Sequence, residues 1–226
     1  AAASETDIVS GYVTLVSLFG LPMVNLTPAL MPYWQQALKQ LFDKAVSFFC
    51  LLCLSPVFLY LAWRVKRDTP GSVFFKQERV GKHGKPFLIY KFRTMYTDAE
   101  KDGPRLSCQE DPRVTPFGRM MRRYRLDELP QFLNVLKGDM SLVGPRPERQ
   151  FFVDQIIEKA PHYYLAQRVL PGITSWGMVK FGYANTVDKM IDRLAYDMLY
   201  LENQSLLIDL KILLFTLKPL FKGKGV

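Results

Sequence analysis

The run Ala45–Trp63, AVSFFCLLCLSPVFLYLAW, carries no charged residue and is broken near its middle by Ser55–Pro56. Wound as a helix it would be about 28 Å long, just enough to cross the hydrocarbon core of a bilayer. A proline inside a helix removes one backbone hydrogen bond and crowds the carbonyl four residues back, here that of Leu52, so a kink is expected. The Ser55 hydroxyl can satisfy a backbone group that the proline frees. Both flanks are basic, with Lys39 and Lys44 before and Arg64, Lys66 and Arg67 after. Positive flanks favour the cytoplasmic side, so two basic ends suit a helix that enters the membrane, bends and returns. A spanning helix with a harmless kink fits the same residues, and the run alone leaves both open. Cys50 and Cys53 form a CxxC here, without a polar setting or partner ligands, and read as small buried hydrophobes.

Upstream, Trp34–Lys44 predicts an amphipathic lead-in helix with Leu38, Leu41 and Phe42 on one face. Residues 8–32 are apolar but interrupted by Gly11, Gly20, Pro22, Pro28 and Pro32, which predicts a short strand or two at the tail of something larger. Ala1–Ala3 open the chain with no basic n-region or cleavage pattern, so no signal peptide is expected.

Downstream, Val73–Met95 changes character. Val73–Phe75 and Phe87–Tyr90 flank Gly81–Lys85, a hairpin signature, and Lys91 and Arg93 fall on one face of its second strand. Residues 97–115 read as a surface loop. Pro116–Arg125 winds as a helix with Arg119, Arg122, Arg123 and Arg125 in a basic ridge and Phe117, Met120 and Met121 opposite. In Leu126–Gly138 the stripe Leu129, Phe132, Leu133 and Leu136 is helical, with Pro130 in its first turn and Gly138 at its C-terminal cap. That puts Asp127 and Glu128 at a helix head. Residues 148–165 and 186–202 read as helices with a turn at Leu170–Thr174, and Leu206–Phe221 as a core or interfacial helix.

The 226 residues carry 30 Lys and Arg against 21 Asp and Glu, a net charge of +9, which favours polyanionic partners. His83 and His162 stand alone, which argues against a histidine triad or histidine metal site. Acidic residues at a helix head are often mere caps. Beside four arginines, though, an ionised carboxylate can attack phosphorus or ligate a hard cation such as magnesium. Arg122, Arg146 (stiffened in Gly144–Pro145–Arg146–Pro147), Lys91 and Arg93 are suited to phosphate oxygens. No P-loop or dinucleotide fingerprint is present.

The runs RLDELPQFLNVLKGDMSLVGPRP (125–147) and VFFKQERVGKHGKPFLIYKFRTM (73–95) closely resemble the bacterial sugar transferases, monotopic phosphoglycosyl transferases that begin surface-glycan assembly. The likeness runs from about Gln40 to the C-terminus. GLPMVNLTPALMPYWQQALKQLFD (20–43) resembles the linker of long-form members, which implies that this is the catalytic half of a longer polyprenyl glycosylphosphotransferase. The resemblance implies a re-entrant helix broken at Ser55–Pro56, docked in the inner leaflet of the bacterial cytoplasmic membrane. It implies a magnesium-dependent dyad, Asp127–Glu128, with both carboxylates at the metal. Asp127 would attack the sugar-bearing phosphate of a UDP-sugar, UDP-galactose or UDP-glucose, and release UMP. Undecaprenyl phosphate would then take the phosphosugar from the aspartate, the first membrane step of exopolysaccharide, O-antigen (lipopolysaccharide) or capsule synthesis. Phosphate would be held by Arg122 and Arg146, with Lys91, Arg93 and Arg79 as further candidates. A homodimer fits the long-form likeness. Where the family often has arginine before Pro-Gly-Ile-Thr this chain has Leu170, with Arg168 two residues earlier.

The expected fold is thus α+β and mostly helical. It has a linker at 1–33, a lead-in and re-entrant helix at 34–67, and a cytoplasmic catalytic domain at 68–226 with a small β-hairpin and amphipathic interfacial helices. Two competing readings are a membrane-bound magnesium-dependent phosphohydrolase and a basic surface- or nucleic-acid-binding module. Basic aromatic nucleic-acid motifs are missing, so no nucleic acid is expected.

Overall fold

The computed structural model describes residues 15–18, 21–24, 31–99, 101, 103, 106 and 111–222. Strands β1 (Leu15–Leu18) and β2 (Leu21–Val24) pair antiparallel, matching the short strands expected there. Cys108 lies outside the described residues.

Helix α1 (Tyr33–Cys53) joins the lead-in and the first half of the apolar run, and α2 (Ser55–Asp68) continues at 64° to it. The break is at Leu54. Pro56 sits in the first turn of α2, and the Ser55 hydroxyl donates to the Leu52 carbonyl (2.8 Å), the group expected to lose its partner. Among the described residues no single helix is long and apolar enough to cross a membrane; α1 and α2 qualify only together.

The surface of α1 is inside out. Its buried residues are Lys39, Asp43 and Ser47, at spacing i, i+4, i+8. Its apolar residues, among them Leu41, Phe48, Phe49 and Leu52, are exposed. Each such side chain, half to two-thirds exposed, leaves on the order of 1–2 kcal/mol of burial unrealised in water. Two expectations change as a result. Lys39 is not an exposed flank charge but a buried ion pair, and Cys53 is exposed, with Cys50 half-buried, on the apolar face.

The hairpin is as expected: β3 (Phe74–Val80) pairs antiparallel with β4 (Pro86–Phe92), with Phe75 opposite Lys91. Then follow α3 (Pro116–Arg123), a 3-10 turn at Leu126–Glu128, and α4 (Gln131–Lys137), which ends on Gly138 at φ 88°. After β5 (Ser141–Val143) and α5 (Gln150–Lys159), the predicted helix stops at Ala160. The residue before a proline is disfavoured in the α region, and Pro161–Arg168 is a 3-10 segment instead. The expected turn at Leu170–Thr174 contains β6 (Gly172–Thr174), parallel to β5. The chain closes with α6 (Trp176–Lys180), α7 (Val187–Glu202) and α8 (Leu206–Lys222).

Three apolar clusters hold these elements. One joins α5 and α7, with Phe152, Ile156 and Leu194. A second joins β4, α4, β5 and α8 through Ile89, Val135, Leu142 and Ile212. The third joins α2, β4 and α3 through Leu61, Val65, Phe92 and Met121, with Leu126 and Leu129 packed against it. A buried polar clamp fixes α1 to the rest. Lys39 Nζ donates to Asp209 of α8 (2.5 Å) and to the Val143 carbonyl (3.1 Å), and lies 3.5 Å from Asp43. Ser141 Oγ donates to Asp43 (2.6 Å) and the Tyr200 hydroxyl to Asp209 (2.8 Å). Helix α8 has a buried side, with Asp209 and Ile212, and an exposed apolar side, with Leu207, Leu210 and Leu214.

Candidate active site

The dyad is placed by close packing just before it. Thr115 Oγ1 caps α3 by accepting from the Gly118 N–H (2.9 Å). A Cβ on Gly118 would lie 2.1 Å from the Thr94 carbonyl oxygen, so only glycine lets α3 settle on the end of the hairpin. That contact brings Arg122 Nε to 2.9 Å from Thr94 Oγ1. Arg125 then takes a left-handed conformation, φ 54°, and reverses the chain. In the 3-10 turn that follows, Leu126 packs into the third apolar cluster while Asp127 and Glu128 line a cleft. The dyad therefore precedes α4 in a turn of its own, rather than forming the head of that helix. Side-chain cations, more than a helix dipole, govern it.

Glu128 is the hub. Lys91 Nζ donates to its Oε1 at 2.8 Å, Arg146 Nη2 to the same oxygen at 3.3 Å, and Arg125 Nη1 lies 4.0 Å from Oε2. Burial alone would raise its pKa, but Lys91, Arg146 and Arg125 hold the carboxyl well below the usual range. Asp127 goes the other way: burial raises it, opposed by Lys91 and Arg122, and the Glu128 charge raises it further. Among the described residues Asp127 makes no ion pair. Two adjacent carboxylates thus have opposed environments, the pattern of groups with separate roles. Lys91 is lowered, by burial first and then by Arg146, against the pull of Glu128.

Arg146 rides on the β5–β6 pair. A Cβ on Gly144 would meet the Leu170 carbonyl oxygen at 2.3 Å, and the Gly172 N–H donates to the Pro145 carbonyl (2.9 Å), so the two backbones lock. Behind the turn, Glu148 accepts from Arg79 Nη1 (3.3 Å) and from Arg193 of α7. Beside it Asp197 accepts the Gly177 N–H (2.8 Å), and its carboxyl is pushed up to about 6 by burial, against those hydrogen bonds and Arg193.

All seven residues named as catalytic or phosphate-binding come together. Asp127, Glu128, Arg122, Arg146, Lys91, Arg93 and Arg79 line one cleft of about 390 Å³, within the usual size of a ligand site. Ser55 and Pro56 lie at the helix break and not in the cleft. Arg93 also has a structural role, because its terminal nitrogens donate to the carbonyls of Thr69 (2.7 Å) and Pro70, tying the end of α2 to the hairpin. Leu170 and Arg168 do not line the cleft. Arg149, Tyr183, Phe74 and Phe75 do, and the sequence pointed to none of them as site residues. Arg149 had a signal, three residues beyond Arg146 on the same proline-stiffened run; Tyr183 had none. Among the described residues the lining holds seven Lys and Arg side chains against two carboxylates, so the cleft suits a polyanion.

A family model described as bacterial sugar transferase matches residues 34–223. The chain belongs to the bacterial sugar transferase family. It is 42% identical over 188 residues to an Aeromonas hydrophila protein named UDP-N-acetylgalactosamine-undecaprenyl-phosphate N-acetylgalactosaminephosphotransferase, covering 83% of this chain and 44% of that protein. It is 38% identical over 211 residues to the UDP-glucose:undecaprenyl-phosphate glucose-1-phosphate transferase of Escherichia coli K12, covering 92% and 45%. It is 38% identical over 199 residues to the exopolysaccharide production protein PSS of Rhizobium leguminosarum bv. phaseoli, covering 83% and 98%. The chain thus spans under half the length of the first two of these relatives.

The family resemblance brings magnesium into question, and the donors present fit it. Among the described residues no three His, Cys, Asp or Glu side chains gather into a metal cage. Asp127 and Glu128, however, are consecutive carboxylates that line one cleft. Magnesium typically takes one or two carboxylates and completes its shell with water and substrate phosphates.

Proposed function

We propose that the chain is the catalytic part of a phosphoglycosyl transferase that moves a sugar-1-phosphate from a UDP-sugar to undecaprenyl phosphate. The observation that carries this is the dyad's asymmetry inside a cation-lined cleft. Glu128 is held ionised by Lys91, Arg146 and Arg125, while Asp127, without an ion pair among the described residues, is poorly solvated. A desolvated carboxylate is a stronger nucleophile, and Arg122 lies close enough to favour its ionised form. An Asp127 oxygen attacks the sugar-bearing phosphorus, the phosphoanhydride bond breaks and UMP leaves. An oxygen of undecaprenyl phosphate then attacks the same phosphorus, the aspartyl–phosphorus bond breaks, and the carboxylate is regenerated beside a diphosphate-linked sugar. Arg146, Arg122 and Lys91 neutralise the equatorial oxygens, the main demand of phosphoryl transfer. Asp127 and Glu128 would hold magnesium, which supplies further charge neutralisation on the diphosphate when bound.

The purified protein, given undecaprenyl phosphate, magnesium and a panel of UDP-glucose, UDP-galactose and UDP-N-acetylgalactosamine, is expected to release UMP with at least one donor. The first two lead the panel, and the third enters because a relative is named for it. Asp127→Asn is expected to lose at least ~10³-fold in rate and to form no protein-bound phosphosugar. Near-normal UMP release by that variant would sink the nucleophile assignment. Sugar phosphate formed without lipid product would turn the reading to hydrolysis.

The bent pair α1–α2 is proposed to be a re-entrant segment in the inner leaflet, with the cleft on the cytoplasmic face. The inside-out surface of α1 supports this, because exposed Phe48, Phe49 and Leu52 gain an apolar solvent there. Single cysteines at Lys44 and Lys66, both exposed, should be labelled from the same side of sealed vesicles. Labelling from opposite sides would establish a spanning helix.

A further inference from the structure

The charge in the cleft is not evenly spread. Four of its cations, Lys91, Arg122, Arg125 and Arg146, act on Asp127 and Glu128, while the lining also presents Phe74 and Phe75, 41% and 38% exposed. Two adjacent exposed phenylalanines on a strand waste burial energy unless something apolar covers them. They are also connected. The Phe74 ring stacks on Phe92 with centroids 5.3 Å apart, and Phe92 meets Phe58 of α2 at 5.4 Å. Phe58 lies three residues past Ser55, at the helix break. A packed row of rings, with Phe92 buried at its centre, therefore ties α2 just past the break to Phe74 at the cleft rim. At the rim Phe75 is the cross-strand partner of Lys91, whose Nζ holds Glu128. Directly opposed residues in an antiparallel pair have Cβ atoms about 5 Å apart, so Phe75, on the opposite face of the strand from Phe74, stands one side chain from the phosphate-reading cations.

An amphiphile with a phosphate head and an isoprenoid tail matches that layout at both ends; a nucleotide sugar is polar along its length and matches only one. We propose that Phe74 and Phe75 form the entry groove for the acceptor's isoprenoid chain, carrying it from the α1–α2 apolar face to the dyad while Lys91 receives its phosphate. The inference rests on the phosphoglycosyl transfer reading and adds which wall serves which substrate.

The test compares kcat/KM for undecaprenyl phosphate with that for farnesyl phosphate, a short-chain acceptor, in detergent with the best donor of the panel. Phe74→Ser and Phe75→Ser should lower the long-to-short ratio about tenfold, and Phe74→Leu, which keeps the apolar surface, should largely restore it. In the wild-type protein, a polyprenyl phosphate bearing a benzophenone near its head should crosslink to the peptide containing Phe74 and Phe75, which keeps the test independent of variant folding. An unchanged ratio, or a crosslink mapping elsewhere, overturns the groove while leaving the transferase reading intact. A rise in donor KM with no change in the ratio would assign the rings to the uracil and also overturn it. A wild-type protein that transfers to neither acceptor would overturn both.

Discussion

Two buried ion clusters, one against β5 and one in the cleft, are built to opposite rules. The first, around Lys39, has one cation between Asp43 and Asp209, and its remaining oxygens are met by Ser141 and Tyr200 hydroxyls. The second, around Glu128, has one anion receiving Lys91 and Arg146 and facing Arg125, in a cleft with cations to spare. The Lys39 cluster is enclosed and nearly self-satisfying, so its value is structural. The Glu128 cluster is open on one side and overloaded with positive charge, so it is completed only by a ligand. A buried ion pair reveals its purpose by what its surplus charge faces.

The same substitution in both clusters breaks the comparison most sharply. Lys39→Met leaves Asp43 and Asp209 buried together without their cation, which should cost about 3–5 kcal/mol of stability. A thermal or denaturant melt would show it, with turnover per folded molecule little changed. Lys91→Met removes one of three cations from Glu128 and one that burial already disfavours. Its stability loss should therefore be about 1 kcal/mol or less, while turnover falls roughly 10–100-fold through lost phosphate neutralisation. Equal stability losses in the two variants would erase the distinction.

A smaller effect concerns the platform beneath Arg146. The Asp197 carboxyl, pushed up to about 6 in the folded protein from an ordinary 3.8, holds its proton more tightly folded than unfolded. The stability it contributes is full below about pH 4 and is lost as the pH rises through 6. Asp197→Asn should remove that slope, a difference of roughly 2 kcal/mol, or about 5 °C in Tm, between pH 4 and 7. Parallel Tm-versus-pH curves for the variant and wild-type protein would refute it.

Legibility in the sequence followed the range of the interactions. The hairpin, the stripe of α4 and the break at Ser55–Pro56 were readable because each is fixed within a few residues. Gly81 and Gly84 set the turn, Leu129 to Leu136 the stripe, and the serine answers Leu52. The polar burial of α1 was not readable: Lys39 resembles a solvated flank, and its partner Asp209 lies 170 residues away. The β5–β6 pair escaped for a similar reason, as three-residue strands joined by backbone contacts at Gly144 and Gly172 carry almost no periodicity. At the site, local runs delivered the dyad and its arginines. The roles within the dyad came from Lys91 on β4, Arg122 on α3, Arg125 and Arg146 meeting in space, and Arg93 showed its tie to α2 only once Thr69 and Pro70 were seen beside it.

Arg125 carries a further consequence. A non-glycine residue in the left-handed region costs about 1 kcal/mol or more, so glycine at this position would relax the backbone. The same change would remove a charge 4.0 Å from Glu128. Directed evolution for heat resistance and directed evolution for turnover would therefore pull this one codon in opposite directions.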